Sequence, residues 1–310
     1  MKTGKTPRCE RIVSLLPSAT EIVYALGLGE RLVGVTHECD YPPEATSKPV
    51  LTASALPAAS TPSEIDRHVR RHLHQGSSIY TLDAELLERL APDLILTQEL
   101  CAVCAVSYEI VARAAKRLRG DPRIVSLEPS SLEDVYATIE TLGELTGTSD
   151  RARAVIAGLR ARVEALCRHV AGRARPRTLV LEWTDPPMSG GHWTPELVES
   201  AGGESILANP GANSLILTWD AIAEADPEVI LVAPCGFDLA RSVAAVDELA
   251  ASNPTWPSLR AVRERRVGIV DGNAYVNRPG PRLVDSAEIF ASAIHNQPYG
   301  AAISDPNALR

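Results

Sequence analysis

None of the 310 residues falls in an apolar run approaching the roughly 20 residues that cross a bilayer as a helix, which excludes a membrane-inserted helical chain. The start, MKTGKTPRCERIVSLLPSATE, has a basic head. Its apolar stretch is too short for a secretory core, and the expected location is cytoplasmic. An excess of positive charge is also missing. The formal net charge of −8 argues against a nucleic-acid partner, so the basic runs RHVRRHLH (67–74) and RAVRERR (260–266) are expected to be solvated helix faces. No second C-x-x-C accompanies Cys101 and Cys104, so a full zinc ribbon is excluded. Six irregularly spaced cysteines point to thiols rather than a disulfide framework, with Cys9, Cys167 and Cys235 expected as ordinary buried or half-buried residues. Hydrolase, P-loop and dinucleotide readings lose their usual support. There is no G-x-S-x-G elbow, SGGHW lacks a Walker lysine, and no G-x-G-x-x-G follows the first apolar run.

What the sequence does contain is an alternation. Short Val/Ile/Leu runs (RIVSL at 11–15, RLVGV at 31–35, DLILT at 93–97, RIVSL at 123–127) are separated by helical patterns. The alternation restarts after residue 177 with RTLVLEW, EVILVA (228–233) and RVGIV (266–270). Such a pattern predicts parallel sheets with crossover helices, here in two α/β lobes. Ala154, Ile156, Leu159, Val163, Leu166 and Val170 recur at helical spacing between them and predict one continuous amphipathic helix, capped by Ser149 or Asp150. The expected organisation is an N-terminal lobe over 8–148, a connecting helix over 149–173 and a C-terminal lobe over 174–298, each lobe Rossmann-like.

Chemistry is expected at the carboxyl ends of the strands, where open α/β sheets bind ligands. THECDYPPE (36–44) gathers His37, Glu38, Cys39, Asp40 and Tyr41 behind one strand, and Cys101 and Cys104 stand behind another. In the second lobe, TDPPMSGGHW brings His192 and Trp193, and DGNAYVNRPG brings Tyr275, Asn277 and Arg278. Cys39, Cys101 and Cys104, with His37 or His192, form a candidate zinc or iron set. The cysteine pair is equally readable as a pocket wall, and a helix N-terminus would favour thiolate redox chemistry there. PSATE (17–21) reads as a capping box with Ser18 and Glu21, and Thr194 with Pro195 as a second helix start.

The blocks RIVSLLPSATEIVYALGLGERLVGVTHECDYPPEA, LERLAPDLILT, PMSGGHWTPELVESAGGESIL, WDAIAEADPEVILVA and NRPGPRLVDSAEIFASAIH, in order from about residue 10 to 296, resemble the vitamin B12-binding proteins of ABC importers, of the class III periplasmic solute-binding family. The resemblance implies a non-enzymatic two-lobed binder joined by one rigid helix, with a corrinoid such as cobalamin held in the cleft. Ser18 and the Asp40-Tyr41-Pro42 turn would line one side of it. Trp193, Trp219 and the Asn277–Arg278 turn would line the other, with Tyr275 as a further aromatic face and His37 or His192 offering nitrogen to cobalt. It also implies that Glu85 and Glu199 dock to an ABC permease. Two features stand outside the importer pattern: the long segment 52–80, placed to close over the cleft, and the soft ligands His37, Cys39, Cys101 and Cys104. They keep open a metal or metal-chelate binder, and a thiol-redox or small-molecule enzyme on the same cleft.

Overall fold

A computed structural model describes residues 9–55, 60–74, 79–98, 108–115, 121–301 and 308–310. Cys101 and Cys104 lie outside these, and so does their expected convergence with Cys39. The chain divides into two compact units. One comprises the described residues up to Ser60, of Arg67–Pro129 and of Asp134–Ala157; the other comprises Thr61–Asp66, Ser130–Glu133 and the described residues from Gly158 onward. The division therefore falls inside the connecting helix, and two short segments leave the first unit for the second.

In order, the first part of the chain forms β1 (Ile12–Ser14), α1 (Pro17–Ala25), β2 (Leu32–Val35), β3 (Thr52–Ser54), α2 (Pro62–His74), β4 (Tyr80–Leu82), α3 (Ala84–Leu90), β5 (Leu94–Thr97), α4 (Tyr108–Ala115), β6 (Arg123–Ser126) and α5 (Leu132–Thr146). Four strands make a parallel sheet in the order β2-β1-β5-β6. Parallel strands are covered on both faces, so they need unbroken apolar runs rather than alternation. Ile12, Val13, Leu94, Ile95 and Leu96 are accordingly fully buried. Val13, Leu15, Leu51, Ile79, Leu87, Ile95 and Val111 form the core of this unit. Asp93 anchors the sheet edge by accepting the Glu10 N–H at 2.8 Å. Gly34 is closely packed: a Cβ there would stand 2.4 Å from the end of the Leu51 side chain, which would have to shift to admit it. β3 and β4 form a separate antiparallel pair.

The connecting helix α6 runs over Ser149–Val170. Its buried positions are Ala152, Leu159, Leu166 and Val170. Ala154, expected on the apolar stripe, is exposed, because the buried face falls two residues earlier, at Ala152. The arginines of α6 are engaged within the protein. Arg151 donates to the Ala25 carbonyl at 3.0 Å, Arg160 pairs with Glu133, and Arg162 pairs with Asp285 and Glu288.

The second unit continues with β7 (Arg177–Thr184), β8 (Pro187–Ser189), α7 (Thr194–Ser200), β9 (Glu204–Ser205), α8 (Trp219–Ala225), β10 (Val229–Val232), α9 (Leu239–Ser252), α10 (Arg260–Arg263), β11 (Val267–Ile269), a π-helical turn over Gly272–Val276, and α11 (Leu283–His295). The sheet order is β11-β10-β7-β8, with β9 also on β7. All pairings but one are parallel. The exception, β8, folds back on β7 after a turn at Asp185-Pro186. β8 carries no strand signal in the sequence. Three residues are too few to show a period of two, and Pro187 suits an edge strand.

Candidate functional site

At the carboxyl end of β1 the chain enters α1 two residues earlier than the capping-box pattern predicts. Leu16 is the N-cap, with no side-chain cap bond, and Pro17 takes the first helical position. Ser18 therefore lies inside the first turn, 4 % exposed, and does not cap the helix. Two residues on, Thr20 Oγ1 lies 3.0 Å from Cys39 Sγ, which ties the loop after β2 to α1 and leaves Cys39 buried.

That loop is fixed from β3 and β4 as well. Thr52 Oγ1 accepts the His37 backbone N–H at 3.1 Å and shares hydrogen bonds of 2.7 Å with His37 Nδ1 and with Thr36 Oγ1. The Tyr80 ring packs at 5.5 Å from the His37 ring, and its hydroxyl donates to Glu38 at 3.1 Å. The imidazole is thus held on one side through Nδ1. The residue is exposed, and Nε2 has no partner among the described residues. A histidine ring oriented through one nitrogen and open at the other is the arrangement that metal-ligating histidines use. Asp40 and Tyr41 follow in the same loop, both exposed, with Tyr41 at 44 %.

In the second unit the structure brings Trp193, Tyr275, Asn277 and Arg278 together around the π-helical turn. Trp193 Nε1 donates to the Val276 carbonyl at 2.9 Å, and the side chain is buried. Asp271 caps the turn by accepting the Ala274 N–H at 2.7 Å; its burial raises the carboxyl pKa, which that bond partly offsets. The Tyr275 side chain is buried below the Arg282 guanidinium, and its carbonyl accepts from Ser286. Asn277 Nδ2 donates to the carbonyls of Gly272 at 2.9 Å and Ala233 at 3.2 Å, so both its amide hydrogens are engaged within the protein. Arg278 is 5 % exposed and donates to Asn273 at 2.9 Å. Trp219 packs on the core of this unit, edge-on to Trp256 at 6.1 Å. Of the four expected aromatic residues, Tyr41 is therefore the exposed one.

His192 sits on a positive-φ backbone just before α7, whose N-cap is Trp193; Thr194, expected as the cap, is already helical. The His192 Nε2 is buried without a partner among the described residues. Burial lowers the ring's pKa against a hydrogen bond to Asn213 that raises it. Nearby in sequence, Glu182 was missed by the sequence reading. Burial pushes its carboxyl pKa up, against hydrogen bonds from Ser214 and the Gly191 N–H. An acidic residue inside the apolar run TLVLEW was the available signal.

No group of three or more His, Cys, Asp or Glu among the described residues is placed to hold a metal. The candidate docking residues differ from one another. Glu85 is exposed in the first turn of α3. Glu199 is ion-paired with Arg175 and accepts the Ser205 N–H at 3.0 Å. Cys167 and Cys235, expected to be buried or half-buried, are exposed, since one lies on the outer face of α6 and the other in the turn after β10; Cys9 is half-buried.

The profile of the periplasmic binding protein family matches residues 12–274. A vitamin B12-binding protein of Vibrio cholerae is 25% identical over 293 residues, covering 90% of this chain and 87% of its own. A cobalamin-binding protein of Halobacterium salinarum is 27% identical over 291 residues, covering 93% and 70%. Among solved structures, the periplasmic vitamin B12-binding protein of Vibrio cholerae superposes with a TM-score of 0.65 at 23% identity, covering 93% and 97% of the two chains. A periplasmic heme-binding protein of Pseudomonas aeruginosa superposes with a TM-score of 0.73 at 20% identity, covering 97% of each.

Proposed function

The chain belongs to the periplasmic binding protein family, whose members are non-enzymatic solute-binding proteins of ABC importers, and we propose that its solute is a corrinoid. The observation that carries the ligand class is the setting of His37. Its ring is anchored through Nδ1 by Thr52 and flanked by Tyr80, and its Nε2 is open beside an exposed tyrosine loop. Such a nitrogen suits the axial position of a metal-bearing macrocycle, and Tyr41 offers an aromatic surface to its apolar periphery. Within that class, the whole-length relatives named for vitamin B12 and cobalamin favour the corrinoid.

Heme is the second reading, supported by the same His37 geometry, since imidazole and phenolate are both heme-iron ligands, and by the fold shared with a heme-binding protein. Titrating the protein with aquocobalamin separates the two. Direct coordination shifts the corrin absorbance bands in the wild type and not in His37→Ala. No spectral change in the wild type, with heme giving one instead, rejects the corrinoid. Delivery to a permease through Glu85 is part of the proposal, since both candidates are exposed but only Glu199 is held in an ion pair among the described residues. Delivery to an importer requires the chain to meet the permease outside the cytoplasm, which competes with the cytoplasmic location expected from the sequence, and cell fractionation of the native host decides between the two.

A further inference from the structure

The second unit contains a cavity of about 130 Å³ that the corrinoid reading does not use. It lies at the carboxyl end of β7, walled by the starts of α2 and α8 and one face of α9, and is lined by Pro62, Thr184, Asp185, Trp219, Glu248 and Leu249 among others. At this size it is well below the roughly 300 Å³ at which pockets for drug-sized ligands begin, so it cannot take a macrocycle.

Its chemistry is one-sided. Among the described residues no lysine, arginine or histidine lines it. Two carboxylates, of Asp185 and Glu248, do, and neither has a hydrogen-bonding or ionic partner among the described residues. Two uncompensated like charges at one opening create a negative potential that favours a cation and repels an anion. Two helix starts border the cavity, and their N–H groups are partly taken up within the protein: at α8, Thr218 accepts the Ala221 N–H at 3.2 Å. Pro62 has no N–H, and Thr61 and Glu64 cap one another, Glu64 accepting the Thr61 N–H at 2.9 Å and Thr61 the Glu64 N–H at 3.3 Å.

A second observation is independent of the charges. Thr184 is 2 % exposed and lines the cavity, and its hydroxyl has no partner among the described residues. A hydroxyl at the cavity wall with no partner in the protein is free to accept a hydrogen bond from a bound donor. The remaining walls are the Trp219 indole and the Leu249 side chain, which suit a cation–π contact and a short alkyl chain. An inorganic divalent cation would instead call for a shell of oxygens without such walls.

We propose that this cavity binds a small organic ammonium ion, its N–H groups directed to Asp185, Glu248 and Thr184 and its alkyl part against Trp219 and Leu249. The test is a titration of the full chain, labelled with ¹⁵N-tryptophan, against n-butylammonium chloride, n-butanol and magnesium chloride at constant ionic strength. The Trp219 indole signal, identified with Trp219→Phe, is expected to shift saturably with butylammonium alone. Asp185→Asn and Glu248→Gln, both at exposed carboxylates, are each expected to weaken that response at least fivefold, and Thr184→Val to weaken it with the fold retained. An equal response to butanol would show a merely apolar cavity and overturn the proposal. So would a response to magnesium that displaces butylammonium, a non-saturating shift, or full binding by both carboxylate variants.

Discussion

Arg162 holds Glu288 through two parallel hydrogen bonds, Nε to Oε1 at 3.0 Å and Nη2 to Oε2 at 2.8 Å, and adds Asp285 from the same helix. The contact ties α6 to α11 within the second unit. Burial alone would lower the guanidinium's pKa, but the two carboxylates outweigh it and hold the group charged. Breaking a buried pair costs about 3–5 kcal/mol. With the Arg162 side chain 39% exposed, solvent screening reduces the expected loss for Arg162→Met to about 1–2 kcal/mol. Asp285→Asn is expected to cost less, because it leaves the fork to Glu288 intact. Urea unfolding of the two variants checks the order.

Trp193 is better tested as a structural residue than as a ligand contact. Trp193→Phe keeps an aromatic ring but leaves the Val276 carbonyl without its indole donor, for an expected loss of roughly 1–3 kcal/mol. Trp193→Ala adds a core cavity and is expected to cost about 3–5 kcal/mol. For the ligand, Tyr41→Ala is the informative change, because an exposed side chain can be removed with little effect on the fold. Thermal unfolding should show the Trp193 variants shifted and Tyr41→Ala close to wild type.

Glu199 and Glu85 are expected to separate in the same way. Glu199→Ala removes an ion pair and a backbone hydrogen bond, for about 1 kcal/mol of stability. Glu85→Ala on the surface is expected to change stability by no more than about 0.5 kcal/mol. Equal losses in denaturant titrations would contradict the assignment of the ion pair to Glu199 alone of the two.

Two half-buried histidines contribute to the acid side of stability. Burial lowers the pKa of both His192 and His295 from the ordinary 6.5, so between that value and the lowered one the unfolded chain binds more protons than the folded one. Stability from these groups is therefore present above about pH 6.5 and is lost as pH falls below it. His295→Gln keeps a donor for the Ala201 carbonyl, now accepting at 3.0 Å, and is expected to flatten that loss. Glu182 acts with the opposite sign, because its raised pKa makes the folded chain the better proton binder above 4.5, and Glu182→Gln should lessen the loss of stability as pH rises from there. Unfolding midpoints measured from pH 4 to 8 check both slopes.

The parallel strands were legible because burial on two faces demands the unbroken runs that RIVSL, DLILT, EVILVA and RVGIV display. Helix starts were less so. Ser18-x-x-Glu21 and Thr61-x-x-Glu64 carry the same capping signature, and only the second is a capping box. The position of proline decides between them: Pro62 follows its cap at the first helical position, whereas Pro17 precedes Ser18 and starts the helix ahead of it. In the site, the sequence reading found the loop that presents His37 and Tyr41 but could not tell exposed aromatics from buried ones. Trp193 and Tyr275 are buried by contacts with Val276, Arg282 and their neighbours, which no local pattern encodes. Thr52, which orients His37, lies 15 residues away and is brought in by the separate β3–β4 pair.

The central claim is the identity of the solute, and the direct measurement is equilibrium dialysis of the full chain against aquocobalamin and against hemin, singly and in competition. A corrinoid-binding protein takes up one cobalamin per chain with a dissociation constant of about 1 μM or tighter, and a tenfold excess of hemin does not displace it. Stoichiometric hemin binding without cobalamin uptake, or no uptake of either, would contradict it.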